Sequence, residues 1–557
     1  MSNKKQHDEE HSKIYKVWLW IKQWWLPIAI LLITSIGLAC ALSIPQRVFE
    51  TPREPANDKS APVLLAQSNL RLAFLYITGG AIAVMGLIET FRKNNNEKLK
   101  NDQEKEKNDK EHERWVKAER RERYTRAVGQ LGDEKAPIRM GGVYALIRLV
   151  DDWLEEKSLS DDERLKEGQV IINNLCAYIR SPFTLASRYD ELSKDSPTPE
   201  GIYKDNQQEF YTDKAEFKAE ADIRLGIIKE IHDRIQGPDK NTPGAWSDFE
   251  YDFSGSTFFY PIDLTNSYYA KPINFSDSTY QGGAYFSGSI YKDVADIGGS
   301  TYQGGADFGG SIYQSRADFS GSTYHGRADF GDSIYQSRAY FSDSTYQEEA
   351  YFGGSAYWGR ADFGGSAYRG RAYFGGSAYR GRAYFGGSAY WGRADFGSSI
   401  YQSRANFGGS TYQSEADFSG SIFCSEIYFG YSKYHDISSR FTGCAPQFYN
   451  EKNCKNTLFG STNNDFTVDN NKGYPIDLTP EGIPLKCKFL TLEQKEHIEG
   501  KFQEIEKINN KLLEVKDPKE KEELLKKLRS LNEELHKWRE EVTTVKVEDS
   551  AIENTES

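Results

Sequence analysis

Of the 557 residues, 82 are acidic and 70 basic, a formal net charge of -12 spread over the whole length. That balance favours solubility and argues against a general nucleic-acid binder, which needs a basic domain. The 35 tyrosines and 31 phenylalanines, against three methionines, point to a core of stacked rings in a chain long enough for several domains.

Residues 1–17 form a polar tail containing Lys4, Lys5, Lys13 and Lys16. Trp24 to Ile44 follows as about twenty apolar residues without a charge, enough to span a hydrocarbon core. Trp18, Trp20, Trp24 and Trp25 crowd its leading edge, where amphipathic rings settle at a membrane interface. A cleaved signal peptide is the rival, but the apolar stretch is too long and no small-x-small cleavage site precedes Gln46. A second apolar run, Leu72 to Ile88, ends at Glu89, Arg92 and Lys93, so residues 18–91 are expected to be a two-span membrane hairpin. Lysines and arginines gather before the first span and after the second (Arg92, Lys93, Lys98, Lys100, Lys105, Lys107, Lys110). The loop over 46–69 carries only Arg47, Arg53 and Lys59, with Arg71 at its far edge. This bias places both termini in the cytosol and the loop outside.

Residues 92–122 alternate Lys, Glu, Asp and Arg, a stalk that is either a solvated helix or a disordered tether. Residues 123–243 read as a small helical domain. Tyr124, Ala127, Val128 and Leu131 fall at helical spacing and stop at Gly132, and Pro137 opens a second helix with Ile138, Gly142, Ala145, Leu146 and Leu149 on one face. Further helices are expected over 163–179 and 214–235, joined by an exposed polar connection over 181–212. Gly141 and Gly142 suggest close helix packing.

Residues 244–434 repeat. From Phe253 to Phe429 an aromatic residue, or occasionally Leu264 or Ile297, returns every eleven residues, and a second series from Phe258 to Tyr434 runs five behind it. One unit is Ala306-Asp-Phe-Gly-Gly-Ser-Ile-Tyr-Gln-Ser-Arg316. A repeat this strict requires a repeated backbone, hence a solenoid. Each eleventh residue should lie at the surface: Arg316, Arg338, Arg360, Arg382 and Arg404 make one stripe, and Arg327, Arg371 and Arg393 another, interrupted by Glu349 and Glu415. Residues 253–349 hold 11 acids against 5 bases and residues 350–434 hold 5 against 8, so the rod is bipolar. These arginines are the candidate interaction surface; the alternative is that each covers a ring with its own stem.

Residues 435–489 are irregular and are expected to cap the open end of the coil. Over 490–545, Ile498, Ile505, Ile508, Leu512 and Val515, then Leu524, Leu528, Leu531, Leu535, Trp538 and Val542, keep a four-three rhythm broken at Asp517-Pro518. This is a helical hairpin or coiled coil, packing either on the coil's end or against a second copy; residues 546–557 are a tail. The six cysteines form no Cys-x-x-Cys pair and have no histidine at zinc spacing. Free cytosolic thiols are expected, with a Cys444–Cys454 bridge as the alternative in an oxidising compartment. No catalytic, cofactor or metal constellation is recognised.

The run Arg123-Tyr-Thr-Arg-Ala-Val-Gly-Gln-Leu-Gly132, then Ile138-Arg-Met-Gly-Gly-Val-Tyr-Ala-Leu146, resembles a segment of bacterial pentapeptide-repeat proteins, in which a two-span anchor precedes such helices and then the repeats. The resemblance covers about residues 18–434. It implies a right-handed quadrilateral β-helix with four units per coil, here in a five-plus-six variant with 22 residues per coil and about eight coils. Small residues two before each ring would point inward, and Ser311, Ser333 and Ser355 are candidate partners for the tyrosine hydroxyls; otherwise the hydroxyls reach water. The expected fold is thus mixed: two transmembrane helices, a small α-helical domain, the β-solenoid and the C-terminal helical hairpin. The expected protein is a non-enzymatic scaffold of the bacterial inner membrane whose rod meets a protein partner in the cytosol, with a lipid bilayer as its other partner. A self-assembling element is one alternative. The runner-up is a DNA-mimicking, topoisomerase-binding protein, since some members of the family bind DNA gyrase as acidic, duplex-like rods; the near-balanced charge, arginine stripes and tether here depart from that pattern.

Overall fold

The structure is a computed structural model and describes residues 2–49, 61–238, 242–430, 438–471, 473–515 and 517–545. Arg53, Lys59, Tyr434 and the segment 546–557 fall outside the described residues. Two compact units divide the chain, Met1–Ala118 and Glu119–Ser557.

In the first unit, helix α1 (Ser2–Val48) runs antiparallel to α2 (Ala61–Leu131). Gly37 lies so close to Thr78 that an added Cβ would overlap the threonine hydroxyl, and Gln67 donates to the Phe49 carbonyl at 2.7 Å. Each helix is long and apolar enough to cross a membrane. The charged stalk is helical throughout, carried by α2 without a break, and is laced by i,i+4 pairs such as Glu106–Lys110 at 2.5 Å.

The second unit begins with the end of α2 packed on α3 (Ala136–Leu154), α4 (Asp161–Arg180) and α6 (Gln207–Ile235) around Ala127, Leu146, Val150, Leu175 and Ile227. Of the two α3 glycines, only Gly142 is a close-approach residue: its Cβ would sit 2.8 Å from the Ala127 carbonyl, whereas Gly141 faces open space. The connection over 181–212 is not simply exposed. It contains a 3₁₀ turn (Thr184–Arg188) and the short α5 (Tyr189–Leu192), and it buries Leu192 and Tyr203.

These helices close the N-terminal end of the solenoid. Gln169 exchanges two hydrogen bonds with the Glu250 backbone, Arg180 bonds Asp252 at 2.5 Å, and Phe217 packs on Phe259 with ring centroids 4.8 Å apart. Arg224, almost fully buried, donates to Glu220 and to the Ile179 and Ser181 carbonyls at the end of α4. Breaking so enclosed an ion pair from one side costs several kcal/mol, about 3–5.

From 251 to 428 the chain is a β-solenoid of about eight coils. Two-residue strands pair in parallel with a register of 22, as in Ala306↔Ala328 and Ile312↔Ile334. Four flanks result, met in the order 251–252, 257–258, 262–263 and 268–269 before the chain returns to 273–274. At strand spacing of about 4.8 Å per coil the stack is roughly 40 Å long. Its core is four ring columns: Phe308 lies flat on Phe330 (5.2 Å, 4°) and Tyr313 on Tyr335 (4.9 Å, 2°), while Tyr313 meets Phe319 edge-on (5.6 Å, 86°).

Ala and Ser two before each ring do point inward, and Ala317 and Ser311 are fully enclosed. The serine hydroxyls are tied into the backbone and also stand beside the tyrosine hydroxyls, as Ser311 does at Tyr313 and Ser333 at Tyr335. Each serine amide donates to the serine hydroxyl one coil on (Ser311 to Ser333, 3.2 Å), and hydroxyls reach back to carbonyls (Ser278 to Phe253, 3.1 Å). The tyrosine hydroxyls are buried, and most, Tyr313 and Tyr324 among them, have only the neighbouring serine hydroxyl beside them at more than normal hydrogen-bond distance; Tyr357 also bonds the Phe352 carbonyl at 3.2 Å. Burial accordingly pushes their pKa well up, as at Tyr313.

The C-terminal end is capped, but by a continuation of the coil rather than by irregular chain alone. Phe441 stacks on Tyr412 at 4.6 Å, Phe448 on Phe418 at 5.1 Å, Phe459 on Phe423 at 5.6 Å and Phe466 on Phe429 at 6.1 Å. All six cysteines are free thiols.

α7 (Leu492–Glu514), opened by a Thr491/Gln494 capping box, and α8 (Pro518–Thr543) form the hairpin. It lies along one flank of the coil, not on its end. Ile498, Ile505, Leu512, Leu528 and Leu535 bury themselves against an outward column of Ile290, Ile312, Ile334, Ile400 and Ile422. The anchors at its base are Lys455–Glu540 at 2.9 Å and Arg539 donating to the Gly420 carbonyl.

Candidate interaction surface

Strand alternation sets what each flank shows. On the two tyrosine flanks the ring points in and the preceding residue points out. That residue is isoleucine on the flank the hairpin covers and threonine on the opposite one: Thr279, Thr301, Thr323 and Thr345 stand half-buried and uncovered. On the two phenylalanine flanks the outward residue alternates between Asp, Asn and Tyr, as in Asp318, Tyr340, Asp362 and Tyr384.

The predicted arginines stand at the corners beside these Asp/Tyr columns, all exposed except the half-buried Arg393. Most are engaged by their own chain. Arg316 bonds Asp318 at 2.6 Å and lies over Tyr340 of the next coil; Arg360 repeats this with Asp362 (2.6 Å) and Tyr384 (4.2 Å to the ring centre). Arg327 pairs with Asp329 and covers Tyr351, and Arg404 pairs with Glu426 and covers Tyr428. Arg393 reaches Asp417 at 3.0 Å and Glu415 at 3.7 Å, and Arg371 touches only the Tyr373 hydroxyl, at 3.4 Å.

The aspartates are doubly used. Asp318 Oδ1 accepts from the Ser320 amide, closing an Asx turn, while Oδ2 accepts from Arg316. These contacts hold the Asp318 carboxyl below the usual range despite its burial. Asp395, by contrast, is pushed up by burial and by its neighbour Asp417. Tyr351, bonded to Glu349, is pushed up to about 12.

Among the described arginines of the coil, Arg338, Arg369, Arg371 and Arg382 take part in no ion pair, and of these Arg369 alone lies outside the predicted stripes. Arg369 adjoins Trp391, which is 43 % exposed on the threonine flank. Sequence reasoning passed over both because it followed the eleventh position; the signal was the break in the Thr/Ile column, where four successive tyrosine units read Ser-Ala-Tyr followed by Trp358, Arg369, Arg380 and Trp391.

A cleft of about 770 Å³ opens between the cap loops, lined by Arg393, Glu415, Cys444, Phe448 and Lys486. Its cations are largely committed, Lys486 to Glu451 at 2.6 Å and Arg393 as above. No group of three or more metal-ligating side chains occurs among the described residues.

The chain is thus a β-solenoid protein with helical closures, defined by its fold. It matches no protein-family profile, no curated protein and no solved structure.

Proposed function

We propose that the chain is a membrane-anchored, non-enzymatic scaffold of the pentapeptide-repeat type, whose rod displays side chains at fixed spacing to a protein partner in the cytosol. The observation that carries this reading is that, among the described residues, three of the four flanks are uncovered, two with half-buried Asp and Tyr columns edged by exposed arginines and one with a threonine column, while the fourth is closed by the chain's own hairpin. Regular display on a stack that cannot bend within a coil suits recognition of another surface. Two apolar helices and the lysine and arginine bias around them support anchoring with both termini on the cytosolic side of an inner membrane.

Proximity labelling in living cells, with the label fused after Ser557, tests it. Neighbours of the intact chain should disappear when residues 253–434 are removed. An unchanged neighbour set would make the rod a spacer and defeat the reading.

A further inference from the structure

The hairpin already demonstrates how this coil binds a helix. Where the isoleucine column is interrupted, Ala356 and Ala378 leave room, and Trp358 and Arg380 fill the adjoining positions one coil apart. α7 answers them with two residues one turn apart. Phe502 meets Trp358 edge-on with ring centroids 6.2 Å apart, and Glu506 pairs with Arg380 at 2.5 Å. The match is close: Trp358 is 7 % exposed, and Ala356 and Ala378 are buried.

The opposite flank carries the same four residues, two alanines with one arginine and one tryptophan, on interleaved coils. Ala367 and Ala389 replace threonine, and Arg369 and Trp391 hold the adjoining positions. Here the order along the stack is reversed, with arginine first and tryptophan one coil on. No segment among the described residues lies over this patch. Arg369 is exposed and unpaired, and Trp391 is 43 % exposed against 7 % for Trp358. The Thr and Gln columns continue along this flank towards the N-terminal end, with Glu348 on the coil before Arg369, and with Arg371 and Arg393 at the adjoining corner.

We propose that the Ala367–Arg369–Ala389–Trp391 patch is a docking site for an amphipathic helix of a partner protein that carries an aromatic residue and a carboxylate one helical turn apart, as α7 does in Phe502 and Glu506. The tryptophan supplies the buried anchor and the arginine the directional charge, the residue types that dominate such contacts. This rests on the scaffold reading above and names the partner's chemistry.

The test uses the full chain in detergent or nanodiscs and a labelled peptide of residues 492–514 as the probe. Saturable binding is expected, weakened about tenfold or more by Trp391→Ala and by Arg369→Glu. A peptide carrying Glu506→Lys should restore binding to the Arg369→Glu chain. Because Arg369 makes no ion pair, that variant leaves the fold unchanged even if Trp391→Ala disturbs it. Binding equal in parent and both variants overturns the proposal. So does binding that depends on Arg380 instead of Arg369, which would mean the peptide is exchanging with α7. Absent peptide binding alongside rod-dependent neighbours in cells would sink this site while leaving the scaffold reading standing.

Discussion

Ile312 and Thr323 hold the same outward position on opposite flanks, one under the hairpin and 1 % exposed, the other uncovered. The difference between an ethyl group and a hydroxyl at this outward position sets which flank the helices cover. Replacing Ile312 and Ile334 by threonine should therefore loosen the hairpin by about 1–3 kcal/mol per site, since the buried apolar contact is lost and a hydroxyl is left without a partner. Hydrogen exchange over 492–543 should accelerate while the coil's own amides stay protected. Unchanged exchange in the hairpin would contradict the account.

Corner glycines are held by stacking. A Cβ on Gly381 would stand 1.9 Å from the Gly359 carbonyl oxygen, which is backbone and cannot step aside. Gly381→Ala should lower stability by about 2 kcal/mol or more. Gly141→Ala, in open space on α3, should instead raise it by about 0.5–1 kcal/mol. Denaturant midpoints of the two variants should move in opposite directions.

The buried tyrosines divide by hydroxyl. Tyr324 has only the Ser322 hydroxyl beside its own, at more than normal hydrogen-bond distance, so Tyr324→Phe should cost little or nothing. Tyr357→Phe, which forfeits the bond to the Phe352 carbonyl, should cost about 1 kcal/mol. Equal losses at both would show that the hydroxyls are satisfied alike.

Acid should weaken the hairpin's hold. Burial, with Arg539 beside it, pushes the His536 imidazole down to about 4. An unfolded histidine takes up its proton near pH 6.5, roughly, so the stability tied to the neutral ring is complete above that pH. It then falls by up to about 3 kcal/mol as the pH drops towards 4. His536→Gln should flatten the dependence of unfolding free energy on pH between those limits; an unaltered slope would exclude His536 as its source.

Arg316 tests the arginine stripe. At 51 % side-chain exposure, its bond to Asp318 is a surface pair, and the Asx turn does not need it. Arg316→Ala should change stability by less than about 1 kcal/mol. A larger loss would make the corner arginines structural.

The coil was legible because each ring must sit on an identical neighbour, which forces the period on Phe308, Phe330 and Phe352 alike. The end of the coil was not. Phe441, Phe448, Phe459 and Phe466 continue the same columns, but loops inserted between them erase the spacing that a sequence can display. The serine ladder depends on hydrogen-bond direction, which spacing does not encode. The site was half legible: the eleventh-position arginines sit at the surface as expected, yet Asp318, Asp362 and the stacked tyrosines engage them. The flank that binds a helix was written in Ile312 against Thr323, a contrast overshadowed by the more regular rings beside it.

Because one coil is two eleven-residue units, the length of this rod is quantised. Removing 22 residues shortens it by one coil and leaves every side chain on its own flank. Removing eleven leaves the rings just as well stacked but turns everything beyond the cut by half a revolution, placing threonines beneath one half of the hairpin and isoleucines in water on the other side. Growth and loss of such repeats by unequal exchange would be tolerated by the core in either step, but by the surface only in pairs.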